Sequence, residues 1–176
     1  MGYKATAMPI DIKPHAYDPR TNPELFEGVL PRRVVAFVID FIVIAVPVVL
    51  AAMFIFAFGI ITLGFGWALY WLLPPANVIW AIVYFGLTLG GEKSATVGMR
   101  VMDLEMRTWY GAPAYFVLGS VHAIVFWLTI STLTPFVLLV AFFNERGRLL
   151  HDILLGTVVI NNAVRAHALR AITTGS

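Results

Sequence analysis

Asp40 is the only formally charged residue between Val34 and Leu89. A carboxylate in an apolar helix is expensive to keep there, so it needs a partner group or a proton. Arg33, Ala36 and Asp40 fall at i, i+3 and i+7, which lines up a charged, a small and an acidic residue on one helix face. Such a face belongs against protein rather than lipid. Two chemistries follow. Asp40 is either locked to an arginine on another segment, fixing helix packing, or it alternately binds a proton and a cation along a path shared with His122 and Asn77. The identity of its partner decides between them.

A second constellation lies near the carboxyl end, where His151 and Asp152 follow Arg146 and Arg148 by about one helical turn. Asp152 can accept hydrogen bonds from Arg33, Arg100 or the backbone amides of an opposing loop, with Arg148 and His151 as further members of the clasp. A catalytic acid is the weaker reading, because no activated nucleophile lies nearby. His151 titrates near neutral pH when unperturbed, which leaves pH sensing open. His122 either relays protons with Asp40 or Asn77, or bridges two helices by a hydrogen bond. The chain has no cysteine, phosphate-binding loop, His-Glu-x-x-His helix or Gly-x-Ser-x-Gly elbow. No enzyme activity, cofactor or metal site is expected.

The elements that carry these residues follow from composition. Of the 176 residues, 60% are apolar and 12% charged, against about 25% charged in an ordinary soluble domain. Too few polar residues remain to cover a small core with a water-facing surface. The net charge of +2, without a basic stripe, excludes a nucleic-acid partner. The tract from Val34 to Leu89 would be about 84 Å long as helix, so it crosses a hydrocarbon core of about 30 Å twice. Spans are expected at 34–58 and 67–89, with Pro47 a candidate kink. The break falls at Gly59 to Gly66, beside Trp67, Tyr70 and Trp71, with Pro74-Pro75 as the competing break. The tract from Ala112 to Asn144 carries no formal charge and contains Ser131-Thr132-Leu133-Thr134-Pro135.

Lys and Arg cluster from Lys4 to Arg33, Lys93 to Arg107 and Arg146 to Arg170, and all three clusters are cytoplasmic if positive charge stays inside. The third tract then goes in and returns, turning at Thr132 to Pro135. The expected fold is an all-α integral membrane bundle of four segments, the last pair a short or re-entrant hairpin. A short interfacial helix follows, ended by Gly156, and then an extended Thr157 to Ile160. Three spans with the tail outside is the alternative. Residues 1–31 hold five of the ten prolines and read as a mobile cytoplasmic arm, 32–162 as the membrane domain and 163–176 as a cytoplasmic tail. Gly86 and Gly90 make a small-x-x-x-small pair suited to helix packing or dimerisation.

Across residues 29–161 the chain resembles the RDD family of membrane proteins, named for one arginine and two aspartates. Arg33-Val34-Val35-Ala36-Phe37-Val38-Ile39-Asp40 matches its opening pattern, and Asp152 matches the second aspartate. The segment from Leu150 to Ile160 resembles the closing His-Asp and Gly-Thr-Val-Val motif. Thr96-Val97-Gly98-Met99-Arg100 is similar to the family's Thr-x-Gly-Lys-Arg loop. The chain departs at Met99, where lysine is usual, at Asp103, where glycine is usual, and at His122, where arginine is frequent. The resemblance implies a multi-pass protein of a bacterial inner membrane. Some members are implicated in exchanging sodium or other cations for protons. The expected partners are the lipid bilayer, a second copy or another membrane protein, and a monovalent cation with a proton. The rival expectation is a scaffold that transports nothing, in which Arg33, Asp40 and Asp152 form a structural ion-pair clasp.

Overall fold

A computed structural model describes residues 17–133, 140, 143 and 145–174. Helix α1 runs Val29–Ile61, starting after Gly28 in a left-handed conformation (φ 66°). Its 33 residues make it about 50 Å long, well beyond a hydrocarbon core of about 30 Å, so its first turns stand outside the apolar zone. Arg32 and Arg33 sit there. Pro47 lies within the continuous helix. The helix ends in a turn through Thr62, Leu63 and Gly64, inside the break expected from the glycines.

The chain returns through a 3-10 stretch, Phe65–Leu72, and then helix α2, Leu73–Leu89. Pro74 and Pro75 occupy the first turn of α2, where backbone N–H groups have no helical acceptor to lose. They start the α-helical part rather than break the hairpin. Trp67 Nε1 donates to the Phe56 carbonyl at 3.3 Å and Tyr70 Oη to that of Ala52 at 2.9 Å, lashing the 3-10 stretch to α1. A side chain at Gly59 would overlap the Trp67 ring.

Two helical stretches, Pro23–Ile61 and Phe65–Leu89, are long and apolar enough to cross a membrane. Met53, Phe54 and Ile61 on α1 are 64%, 67% and 79% exposed, a surface that suits acyl chains and would be costly in water. Helix α4, Phe116–Leu133, packs against α2. A Cβ on Gly86 would meet Ser120 Oγ at 2.5 Å, and one on Gly90 would strike the Phe116 backbone. The small pair that suggested dimerisation is therefore used inside the chain, to bring α4 close. Most of the fourth expected segment, including Thr134 and Pro135 of its turn, lies outside the described residues.

Below the helices lies a loop layer. It contains α3 (Val97–Val101), β1 (Leu104–Thr108), α5 (Leu150–Leu155), β2 (Thr157–Asn161) and α6 (Ala163–Thr174). The all-helical expectation needs correcting here, because β1 and β2 form a two-stranded antiparallel sheet with Leu104 opposite Asn161 and Thr108 opposite Thr157. The extended Thr157–Ile160 was readable from its β-branched run, whereas β1 is too short and too mixed in composition to announce itself. The buried apolar cluster also sits here, built from Val29, Ala36, Leu89, Met99, Met106 and Val159 among others.

The described part of the amino-terminal arm is docked rather than loose. Asn161 Nδ2 donates to the carbonyls of Glu24 and Glu27, both at 2.9 Å, while Arg170 Nε donates to the Glu24 carboxylate at 2.7 Å. Residues 29–31 already belong to α1.

The tightest junction between the layers is at Gly98. Its missing Cβ would overlap the Ala36 carbonyl of α1, so any side chain must push α3 away from α1. Gly98→Ala is expected to cost about 1–3 kcal/mol, the usual penalty of overpacking a closed contact. Heating the detergent-solubilised variant and measuring the fraction still monodisperse checks this. A wild-type melting curve would contradict the packing.

Candidate functional site

The first turns of α1 project a polar stripe into the loop layer, and each member meets a different element. Arg32 donates to Asn161 Oδ1 at 2.8 Å and pairs with Asp103 at 3.2 Å. Arg33 Nη1 lies 2.6 Å from Asp152 Oδ2 and also donates to the Gly147 carbonyl at 3.4 Å. Asp40, two turns further along, is buried against α2 and α3.

Three neutral donors surround Asp40, where an arginine was one expectation. Tyr84 Oη donates to Oδ1 at 2.5 Å, the Gly98 amide to the same oxygen at 2.8 Å, and Thr96 Oγ1 to Oδ2 at 2.6 Å. Thr96 Oγ1 in turn accepts from the Met99 amide at 3.1 Å, capping α3. Tyr84 Oη accepts from the Val97 amide at 3.2 Å. The carboxylate thus organises the start of α3 through the Thr96 hydroxyl and the Gly98 amide. Arg100 turns away, donating to the Ala95 carbonyl at 2.9 Å and to the Thr88 carbonyl at 3.5 Å near the end of α2.

Asp152 belongs to α5 and is wholly buried. Its Oδ2 accepts from the Leu149 amide at 3.0 Å as well as facing Arg33. Burial, the largest single influence, pushes its carboxyl up, but the Arg33 guanidinium together with the His151 and His122 imidazoles more than offsets it and holds the group well below the usual carboxylate range. Oδ1 is less committed, with Thr157 Oγ1 at the outer limit of 3.5 Å. Arg148 is not on this carboxylate; its guanidinium lies over the Trp109 ring, 4.6 Å from the centroid.

Two imidazoles face this less committed oxygen. His151 Nε2 is 3.6 Å and His122 Nε2 3.9 Å from Asp152 Oδ1, both too long for a hydrogen bond. The rings stand edge to face with centroids 4.8 Å apart, and Phe126 packs on His151 at 5.2 Å. Burial pushes the His151 imidazole down to about 3, despite the opposing pull of Asp152, so it is neutral at physiological pH. Both Nδ1 atoms are buried without a hydrogen-bond partner among the described residues. Ligand atoms from His122, His151 and Asp152 lie within 4.8 Å of one another.

A cavity of about 390 Å³ opens beside this cluster, lined by Arg33, Asp40, Thr96, Met99, His122 and His151 among others. A second, of about 170 Å³, is lined by Asp40, Asn77, Phe126 and Trp127 together with apolar residues of α1. Asp40 therefore borders both spaces, one shared with His122 and one with Asn77. The polar neighbour of the His122 imidazole, however, is Asp152 and not Asp40.

Sequence reasoning missed Tyr84, Thr96 and Gly98 as the donors to Asp40. Thr96 and Gly98 stood in the quoted loop, so their hydroxyl and amide were available as candidates. Tyr84 had no such signal among the aromatics of an apolar helix. The meeting of His122 with His151 was also missed, because 29 residues separate them and no ligand spacing links them.

Comparison with known proteins adds one finding. The model of the RDD family matches residues 28–156, from the turn before α1 to the glycine that ends α5. No curated protein and no solved structure matches the chain. The match covers the arginine and both aspartates whose contacts join the helices to the loop layer, and the chain belongs to the RDD family.

Proposed function

We propose that this chain is a multi-pass scaffold of a bacterial inner membrane, with its loop layer on the cytoplasmic side. Its arginine and aspartates hold structure and do not carry substrate. The observation that carries this reading is the state of Asp40. Both of its oxygens accept hydrogen bonds from Tyr84, Thr96 and Gly98, donors with which an incoming ion would have to compete. Arg33 is likewise consumed by Asp152. The hydroxyls beside Asp40 are spent as donors to it, so the reading includes no enzymatic step. Lipid covers the exposed helix faces, and the docked arm with α6 offers a cytoplasmic surface to a second copy or to another membrane protein.

One observation favours a second reading, oligomeric exchange of a monovalent cation for a proton. Asp40 borders both cavities, with Asn77 on one and His122 on the other. So few segments make an alternating-access carrier only by self-association or with a partner. Asp40→Asn separates the readings because it keeps the shape and removes the charge. In the scaffold it weakens three hydrogen bonds to a charged acceptor and is expected to cost about 1.5–3 kcal/mol, lowering abundance in membranes. Proteoliposomes of the wild type then show no cation-driven proton flux at any pH. A wild-type flux abolished by Asp40→Asn, with abundance unchanged, would establish the carrier instead.

The Arg33 clasp makes a separate prediction. Arg33→Gln leaves Asp152 buried without its cation, at an expected cost of about 3–5 kcal/mol. Proteolysis of membranes containing the variant should cut the loop layer faster than in the wild type, with the spans still protected. Equal cleavage rates would mean that the pair does not hold the layer.

A further inference from the structure

Beyond the scaffold reading, we propose that His122, His151 and Asp152 form a three-ligand site for a divalent transition-metal ion of the Zn²⁺ or Co²⁺ class, open to the large cavity. Asp152 divides its two oxygens between different tasks. Oδ2 is taken by Arg33 at 2.6 Å and by the Leu149 amide at 3.0 Å. Oδ1 has only the long contact from Thr157 Oγ1 at 3.5 Å and faces two imidazole nitrogens at 3.6 and 3.9 Å. Metal bonds of about 2.0–2.1 Å at tetrahedral angles put ligand atoms about 3.3–3.4 Å apart. Each imidazole nitrogen therefore needs to approach Oδ1 by a few tenths of an ångström, and the two imidazoles, whose ligand atoms lie within 4.8 Å, must close on each other by up to about 1.5 Å.

The fold already brings these groups together. His151 and Asp152 are adjacent on α5, while His122 comes from α4, so an ion would tie the loop layer to a membrane helix. Neither ring has a hydrogen bond among the described residues that coordination would have to break. Two imidazoles and one carboxylate oxygen are borderline ligands, suited to Zn²⁺, Co²⁺ or Fe²⁺ and poorly suited to Na⁺ or K⁺. Three protein ligands leave a fourth position for water or an exchangeable group, and His122 and His151 both line the cavity from which it would come. The Arg33 guanidinium orients the carboxylate, but its positive charge opposes the incoming cation. Affinity is accordingly below that of a closed four-ligand zinc site.

The test uses the full chain in detergent micelles, purified without a polyhistidine tag. Titration with Co²⁺ should reach saturation at one ion per chain and give visible absorption of four-coordinate strength, and one equivalent of Zn²⁺ should abolish it. His122→Gln and His151→Gln should each weaken binding about tenfold or more. His167→Gln, on the exposed face of α6, should not change it. X-ray absorption at the zinc edge of the loaded wild type reads the ligands without any variant, and should show two imidazoles and oxygen. The proposal is overturned if Co²⁺ does not saturate, if binding survives the double histidine variant, or if imidazole is missing from the zinc spectrum. Flux plays no part in these readouts, so the scaffold reading stands or falls separately.

Discussion

A carboxylate buried near the end of a membrane helix has to be surrounded by donors, and at Asp40 the donors come from α2 and α3. Leaving such a group unsatisfied would cost several kcal/mol. The loop between α2 and β1 is therefore obliged to fold over α1 at that point. Gly98 permits the approach because it has no Cβ, and its amide then becomes one of the three donors. Thr96 serves both sides, donating to Asp40 and accepting from the Met99 amide at the start of α3. The polar stripe of α1 repeats the device with other partners. Arg32 reaches β2 and Asp103, and Arg33 reaches α5. The start of α1 thus positions much of the loop layer, and the buried apolar cluster gathers around the same junction.

That division of labour also explains how much could be read in advance. The apolar helical hairpin was legible because tract length and charge placement are properties of contiguous sequence, and Gly59 to Gly66 marks its turn. The short helix ended by Gly156, with a φ of 62°, was legible for the same local reason. The partners of Asp40 were not, because they depend on a contact between residues 44 to 58 positions apart. The strand β1 was invisible, since five residues reading Leu-Glu-Met-Arg-Thr acquire their conformation chiefly by pairing with β2, far along the chain.

Asp103 shows how a departure from a family pattern can be absorbed. The position has a φ of 51°, in the left-handed region that glycine occupies freely and aspartate more readily than most other residues. The backbone there must turn, because the Asp103 carbonyl accepts from the Asn162 amide at 2.8 Å and so closes the end of the sheet. What glycine would supply by flexibility, the aspartate offsets with a partner: its carboxylate pairs with Arg32 at 3.2 Å, adding a further tie between α1 and the layer. Half of the Asp103 side chain remains exposed, so the pair is worth at most about 1 kcal/mol. That is comparable to the strain it accompanies, and the substitution can be close to neutral.

The two aspartates, alike in burial, differ in what remains free. Asp40 is held at both oxygens by neutral hydroxyls and an amide, so its charge is stabilised without a counter-ion and its geometry is closed. Asp152 has a counter-ion on one oxygen only. An ion reaching Asp40 competes with donors that also hold α3 in place. An ion reaching Asp152 Oδ1 displaces little, because the neighbouring imidazoles are already oriented and lack competing partners. Spare coordinating capacity therefore lies at the second aspartate, where α5 and α4 meet. Occupation there would strengthen the junction that the Arg33 ion pair makes from the other side.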